Sequence, residues 1–275
     1  MLNHPRTPAS VFAVFVGDPK RFWGGVGGLL VIASAAIGFW YSPFSPAALD
    51  RPADLAASGQ IEAAIAAYQD LAEGPAPDRV REAADWRAAH LAAVDTSGGP
   101  RAEGLLLHFV SAWPQSEHIA EAHARLAVLL ESDLGRLDEA IVHLDAAREA
   151  EPDHADMGRW LLRSARLHLE LDEPHAAAAA FAAATALPPQ AASAWLGLGR
   201  LRIGDDPAAA YDAYQNALDV AQNAAEARLA RLGMATALEG LEGREAALAE
   251  VDVALAEEGA DAALMRRRDR LRKDR

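Results

Sequence analysis

The chain has 275 residues, a formal net charge of −14 and a pI near 5.0, so its body is poorly suited to nonspecific nucleic-acid binding. It contains no cysteine, which excludes disulfides, thiolate metal sites and thiol nucleophiles. Hydrophobic residues make up 51% but aromatics only 6%, and alanine runs such as 176–180 favour helix over sheet.

Residues 1–21 read as a cytoplasmic N-terminal tail. Residues 22–41 follow without a single charge, long enough as a helix to cross roughly 30 Å of hydrocarbon. Phe22 and Trp23 mark one end, and Phe39, Trp40 and Tyr41 the other, as aromatic rings do at headgroup level. Pro43 and Pro46 then stop the helix. Arg6, Lys20 and Arg21 precede the span and only Arg51 closely follows it. The positive-inside rule therefore leaves the N-terminus in the cytoplasm and carries the body across the inner membrane, into the periplasm of a diderm bacterium. Two other readings stand beside this one. Ala33-Ser34-Ala35 suits signal-peptide cleavage, and the segment could also be a buried soluble helix. Gly24 with Gly28, and Ser34 with Gly38, have the small-xxx-small spacing that lets two membrane helices approach, so a homodimer through the span is one expectation. Glycine is also simply common in membrane spans.

Residues 42–259 are punctuated at a regular interval. Pro77, Pro114, Pro152 and Pro189 are spaced 37, 38 and 37 residues apart, and Gly259 lies 70 further on. A period in the thirties predicts stacked helical hairpins, about six of them. In the unit ending at Pro152, Gly135 turns the chain between two helices. Ala140 is small where they cross, and Leu144 and Ala147 continue its apolar face. The same pattern returns in Gly59, Ala64, Tyr68 and Leu71, then in Ala177, Phe181 and Ala184. It recurs in Ala210, Tyr214 and Ala217, and again in Ala247, Val251 and Ala254. The first helices carry a second signature, clearest in Trp195, Leu198 and Gly199, with Leu126-Ala127, Leu161 with Ala165, and Leu229 with Leu232-Gly233 in similar places. The unit at 78–114 matches more loosely, and the first unit has no clear first helix. Trp86, Trp160 and Trp195 read as core.

These marks resemble the tetratricopeptide repeat family: a Trp-x2-Leu-Gly run, a small residue at the hairpin crossing, a following aromatic or leucine, and a terminal proline. The resemblance implies an all-α solenoid of helical hairpins, here preceded by a single transmembrane helix. It also implies a scaffold that binds proteins or peptides on its concave surface, without cofactors. In that family the first helix of each hairpin lines the groove. Counting from the core positions yields Arg87, Glu121, Val128, Glu131, Arg159, Leu162, Arg166, Glu170, Leu196 and Arg200. Arg159, Arg166 and Arg200 are suited to hold carboxylates of a partner, over an apolar floor of Leu162 and Leu196. Alternatively these arginines are solvated, or pair with Glu121, Glu131 or Glu170. An N-terminal span followed by repeats is also the layout of translocon-associated periplasmic proteins of the same family.

Motifs for chemistry are lacking. There is no phosphate loop, and Gly197 and Gly199 sit inside a repeat helix. Glu117, His118, Glu121 and His123 do not have metal-ligand spacing, and His143, His154, His168 and His175 are scattered. No metal site and no enzymatic activity are expected. Residues 260–275 form a basic helix or tail, read either as a polar cap on the last repeat or as a contact for an acidic partner or anionic lipid. The function expected is a scaffold at the periplasmic face of the inner membrane. The alternative is a structural subunit of a larger envelope machine of secretion or pilus type.

Overall fold

The computed structural model describes residues 46–94, 99–132, 135–259 and 261–273. Among them are thirteen α-helices and no strand. No helix of the described residues is long and apolar enough to cross a membrane. The expected span at 22–41, with Gly24, Gly28, Ser34 and Gly38, lies outside them.

The chain divides into two compact units, one ending at Asp95 and one beginning at Thr96. In the first, a short 3-10 turn (Pro46–Leu49) leads into α1 (Asp50–Ala57), α2 (Ile61–Glu73) and α3 (Asp78–Val94). Helix α1 is the first helix that the sequence did not show clearly, and it is only eight residues long. Gly59 turns the chain between α1 and α2 at φ 79°, a left-handed conformation that other residues adopt at a cost. The Arg81 Nε donates 2.9 Å to the carbonyl of Ala72, satisfying an orphan acceptor in the last turn of α2.

The second unit contains α4 (Gly99–Ala112), α5 (Ile119–Ser132), α6 (Leu137–Ala150), α7 (Met157–Glu170), α8 (Pro174–Ala184), α9 (Ala191–Arg202), α10 (Pro207–Asp219), α11 (Ala224–Leu241), α12 (Arg244–Glu258) and α13 (Ala262–Lys273). The repeat read at 78–114 is thus divided, α3 in one unit and α4 in the other. Local chemistry sets the boundaries. Pro174 and Pro207 stand in first turns, where a missing N–H costs nothing. Asp206 and Asn223 cap α10 and α11 by accepting the backbone N–H of Ala209 and Glu226.

Packing follows the crossing alanines. Ala64, Ala140, Ala177, Ala210 and Ala247 are each 0% exposed, so the helices of each hairpin meet at a methyl group. Four residues on, Tyr68, Leu144, Phe181, Tyr214 and Val251 are buried as well. Helix α4 has the same spacing in Ala102, Leu106 and Phe109, all buried, although its sequence matches the pattern loosely. Trp86 and Trp160 are buried, and Trp195 is partly buried against Leu198 and Phe181. In α11 one expectation is corrected. Leu229 is 51% exposed, and Ala230, Met234 and Ala237 face the core instead. The i, i+4, i+7 face they form sits one residue later than the leucine spacing suggested.

The basic C-terminal segment closes the last hairpin. Leu264 and Leu271 of α13 are buried in one cluster with Ala247 and Val251. Arg267 pairs with Glu239, and Arg268 and Arg272 reach Asp252 at 4.0 and 3.4 Å. Its basic character therefore partly serves to hold a cap on an acidic hairpin.

Candidate functional site

The first helices of four successive hairpins, α5, α7, α9 and α11, line two grooves in the second unit. One is about 680 Å³ and is walled by Glu121, Arg125 and Val128 of α5 and by Arg159, Arg163 and Arg166 of α7. The other is about 600 Å³ and is apolar, with Leu196 and Ile203, Leu229 and Leu232, and the rings of Phe181 and Tyr214. Leu162, Arg166 and Ser193 belong to both, so the two adjoin.

Glycines let the rings of the second groove reach their places. A Cβ on Gly197 would stand 2.5 Å from Cε1 of Phe181, and one on Gly199 2.7 Å from Cε1 of Tyr214. Gly233 on α11 leaves room for the same tyrosine ring. Tyr214 is thus held between α9 and α11, and burial raises its phenol above the ordinary range.

Charge is arranged unevenly. Arg125 binds Glu121 one turn away, with Nη2 at 2.6 Å from Oε1. Arg163 crosses from α7 to pair with Glu131 of α5. Arg159 is paired at 2.9 Å with Asp156 and is largely exposed. Among the described residues no carboxylate pairs with Arg166 or Arg200. The Nε of Arg166 only approaches the Leu162 carbonyl of its own helix, at 3.4 Å. Arg200 and Arg166 flank the apolar floor. Such a site presents two exposed guanidinium groups beside a largely apolar surface.

The structure gathers Glu121, Val128, Arg159, Leu162 and Arg166 along the first groove, and Leu162, Arg166, Leu196 and Arg200 along the second. Three expected groove residues lie elsewhere. Glu131 is taken up by Arg163, and Glu170 is exposed and lines neither groove. Arg87 belongs to the first unit, its guanidinium 6.0 Å from the centre of the Tyr68 ring. The repeat register did not reveal Arg125, Arg163 or Ser193 as lining residues. Nor did it show that Phe181 and Tyr214, on second helices, reach the floor.

Three of the histidines that look scattered in the sequence, His143, His154 and His168, prove to be engaged. His123 and His143 meet with Nδ1 atoms 2.9 Å apart. His154 stacks on Trp160 with ring centres 4.4 Å apart, and its Nδ1 accepts the Asp156 N–H at 3.0 Å. His168 lies 2.7 Å from a Glu173 carboxylate oxygen. Among the described residues no three His, Cys, Asp or Glu side chains are placed to hold a metal ion.

The stack of helical hairpins is similar to several solved structures. A tetratricopeptide repeat protein from Parabacteroides merdae superposes with a TM-score of 0.55 at 19% identity, over 69% of this chain and 72% of that one. The fold is tetratricopeptide-like. BtubC from P. vanneervenii matches with a TM-score of 0.51 at 17% identity, over 78% of this chain and 94% of that one. PilF of Pseudomonas aeruginosa matches with a TM-score of 0.50 at 14% identity, over 82% and 96%. At such identities the likeness concerns the fold of this tetratricopeptide-like chain alone. No family model and no curated protein matches it.

Proposed function

We propose that this chain is a noncatalytic scaffold that binds a partner protein along the grooves of its second unit, and that residues 22–41 hold it in the bacterial inner membrane with the repeats in the periplasm. The observation that carries the reading is the pair of adjoining grooves. Four successive first helices present one surface, apolar at one end, with Arg166 and Arg200 unmatched by acids of the chain. A partner segment that places an apolar side chain between Leu196, Leu229 and Tyr214 and carboxylates beside it would cover the floor and supply those acceptors. The tetratricopeptide-like fold supports the reading, because stacked hairpins present extended binding surfaces. The anchor rests on the length, aromatic ends and flanking charges of residues 22–41.

Two measurements test this. A photocrosslinker at Leu196 identifies the occupant, and Arg159→Ala, Arg166→Ala and Arg200→Ala together should then lower its capture at least tenfold, roughly the loss of one charge-assisted hydrogen bond. Undiminished capture by the folded triple variant would sink the arginine-lined groove as the binding site. Protease treatment of intact spheroplasts should degrade a C-terminal tag while the protein stays with the membrane. A protected tag would reverse the orientation, and a soluble, shortened protein would make residues 22–41 a cleaved signal.

A further inference from the structure

His123 on α5 and His143 on α6 face each other across one hairpin. Their Nδ1 atoms are 2.9 Å apart, the ring centres 5.2 Å apart, and the ring planes inclined by 31°. At that separation of centres the two nitrogens lie near the line joining the rings, so each Nδ1 points head-on at the other. One proton between them satisfies both, donated by one ring and accepted by the other. A shared metal ion would instead need both lone pairs to converge on a point to one side. The arrangement is that of a hydrogen-bonded pair.

The surroundings favour the neutral state. Both rings are half-buried, and burial is the main reason that both titrate below the ordinary imidazole range; His123 is lowered to about 4, the nearness of His143 adding to the effect. The other charges acting on the pair come from α4 and from the start of α6. Glu103 and Glu139 favour a charge on His143, and Arg136 opposes it. Arg136 is bound to both carboxylates, which blunts their pull on the ring.

We propose that His123 and His143 form an acid-sensitive latch on the α5–α6 hairpin, closed while at least one ring is neutral and open when both carry a proton. The first added proton still leaves an imidazolium donating to an imidazole. The second leaves two N–H donors and two positive charges facing each other, with no acceptor between them. Ala124 and Leu144 are the next residues along the chain from the two histidines, and both line the first groove. Opening the latch therefore disturbs that wall of the groove. This last consequence rests on the proposed binding function, whereas the latch itself does not.

Hydrogen–deuterium exchange on the full-length chain in detergent micelles tests the latch. Protection factors, corrected for intrinsic exchange, are compared between about pH 7.5 and about pH 4.5. Helices α9 and α10, which contain no histidine, serve as the internal reference. Protection in α5 and α6 should fall at least tenfold more than in α9 and α10, and His143→Gln should abolish that difference. An equal loss in both hairpins, or an undiminished difference in the variant, overturns the proposal. If His143→Gln does not fold, imidazole ¹⁵N titration of the wild-type chain decides. Both rings should titrate below the ordinary imidazole range, with one shared proton at neutral pH. Either ring titrating at or above that range refutes the latch. Capture of a partner at neutral pH does not enter these readouts, so the latch and the groove can fail separately.

Discussion

The α-carbon of Gly197 on α9 faces the ring of Phe181 on α8 so closely that a methyl group there would stand 2.5 Å from Cε1. Four helices, α7, α8, α9 and α10, contribute side chains to the cluster around that ring, and the ring also forms part of the apolar groove floor. A small residue is therefore required by a neighbouring helix and not by backbone conformation.

Gly197→Ala should be destabilising. Alanine gains about 1 kcal/mol over glycine in helix propensity, but overpacking a filled core costs about 1–3 kcal/mol. Gly104, inside α4, meets nothing within 4 Å, so Gly104→Ala keeps only the propensity gain. Urea unfolding should shift to lower midpoint for the first variant and higher for the second. A stabilised Gly197→Ala would mean that Phe181 can move aside freely.

The crossing of α5 and α6 depends on Leu144, which is fully buried, whereas Val142 two residues earlier is 64% exposed. Leu144→Ala should cost about 2–5 kcal/mol, and Val142→Ala less than about 0.5 kcal/mol. Thermal unfolding of the two variants side by side distinguishes them, and similar losses would contradict the placement of the hairpin face.

Acidification should weaken the fold before ordinary carboxylates titrate. His123 and His143 have folded-state pKa values below the ordinary 6.5, His123 near 4. Between those values the unfolded chain binds more protons, so the stability they contribute is complete above 6.5 and is lost as pH falls towards 4. Urea midpoints measured over that window should decline more steeply for the wild type than for His143→Gln. Parallel slopes would show that neither ring is shifted by folding.

Asp261 joins the start of α13 to α11. Its Oδ1 accepts the N–H of Ala263 and Leu264 at 2.8 and 3.1 Å, and its Oδ2 is 3.1 Å from Arg228. These hydrogen bonds, the backbone pair first, hold the carboxyl below its usual range. Asp261→Ala removes the cap and the ion pair together, and limited proteolysis should then cleave α13 before the rest of the second unit. Unchanged cleavage would assign the docking of α13 to Leu264 and Leu271 alone.

Much of the architecture can be read along the chain. The spacing of Ala140, Leu144 and Ala147, and its recurrence at Ala177, Ala210 and Ala247, places hairpin crossings because a helix has one period and a crossing tolerates only a small side chain. The prolines and Gly259 mark helix ends for equally local reasons. Counting along the first helices also identifies Leu162, Arg166, Leu196 and Arg200, which the grooves do contain. Where the pattern was loose, as in α4, or shifted by one residue, as at Leu229, the neighbouring hairpin chose the buried face.

What local periodicity cannot supply is the identity of each side chain's neighbour on another helix. Arg163 and Glu131 are 32 residues apart in sequence, and His123 and His143 are 20 apart, so nothing in either helix announces the pairing. The helical hairpins, their period and the small residues at their crossings are legible along the chain, because they follow from contacts a few residues apart. Packing between helices sets which arginines find a carboxylate and which histidines meet. Those outcomes depend on the angle and distance at which one hairpin packs on the next.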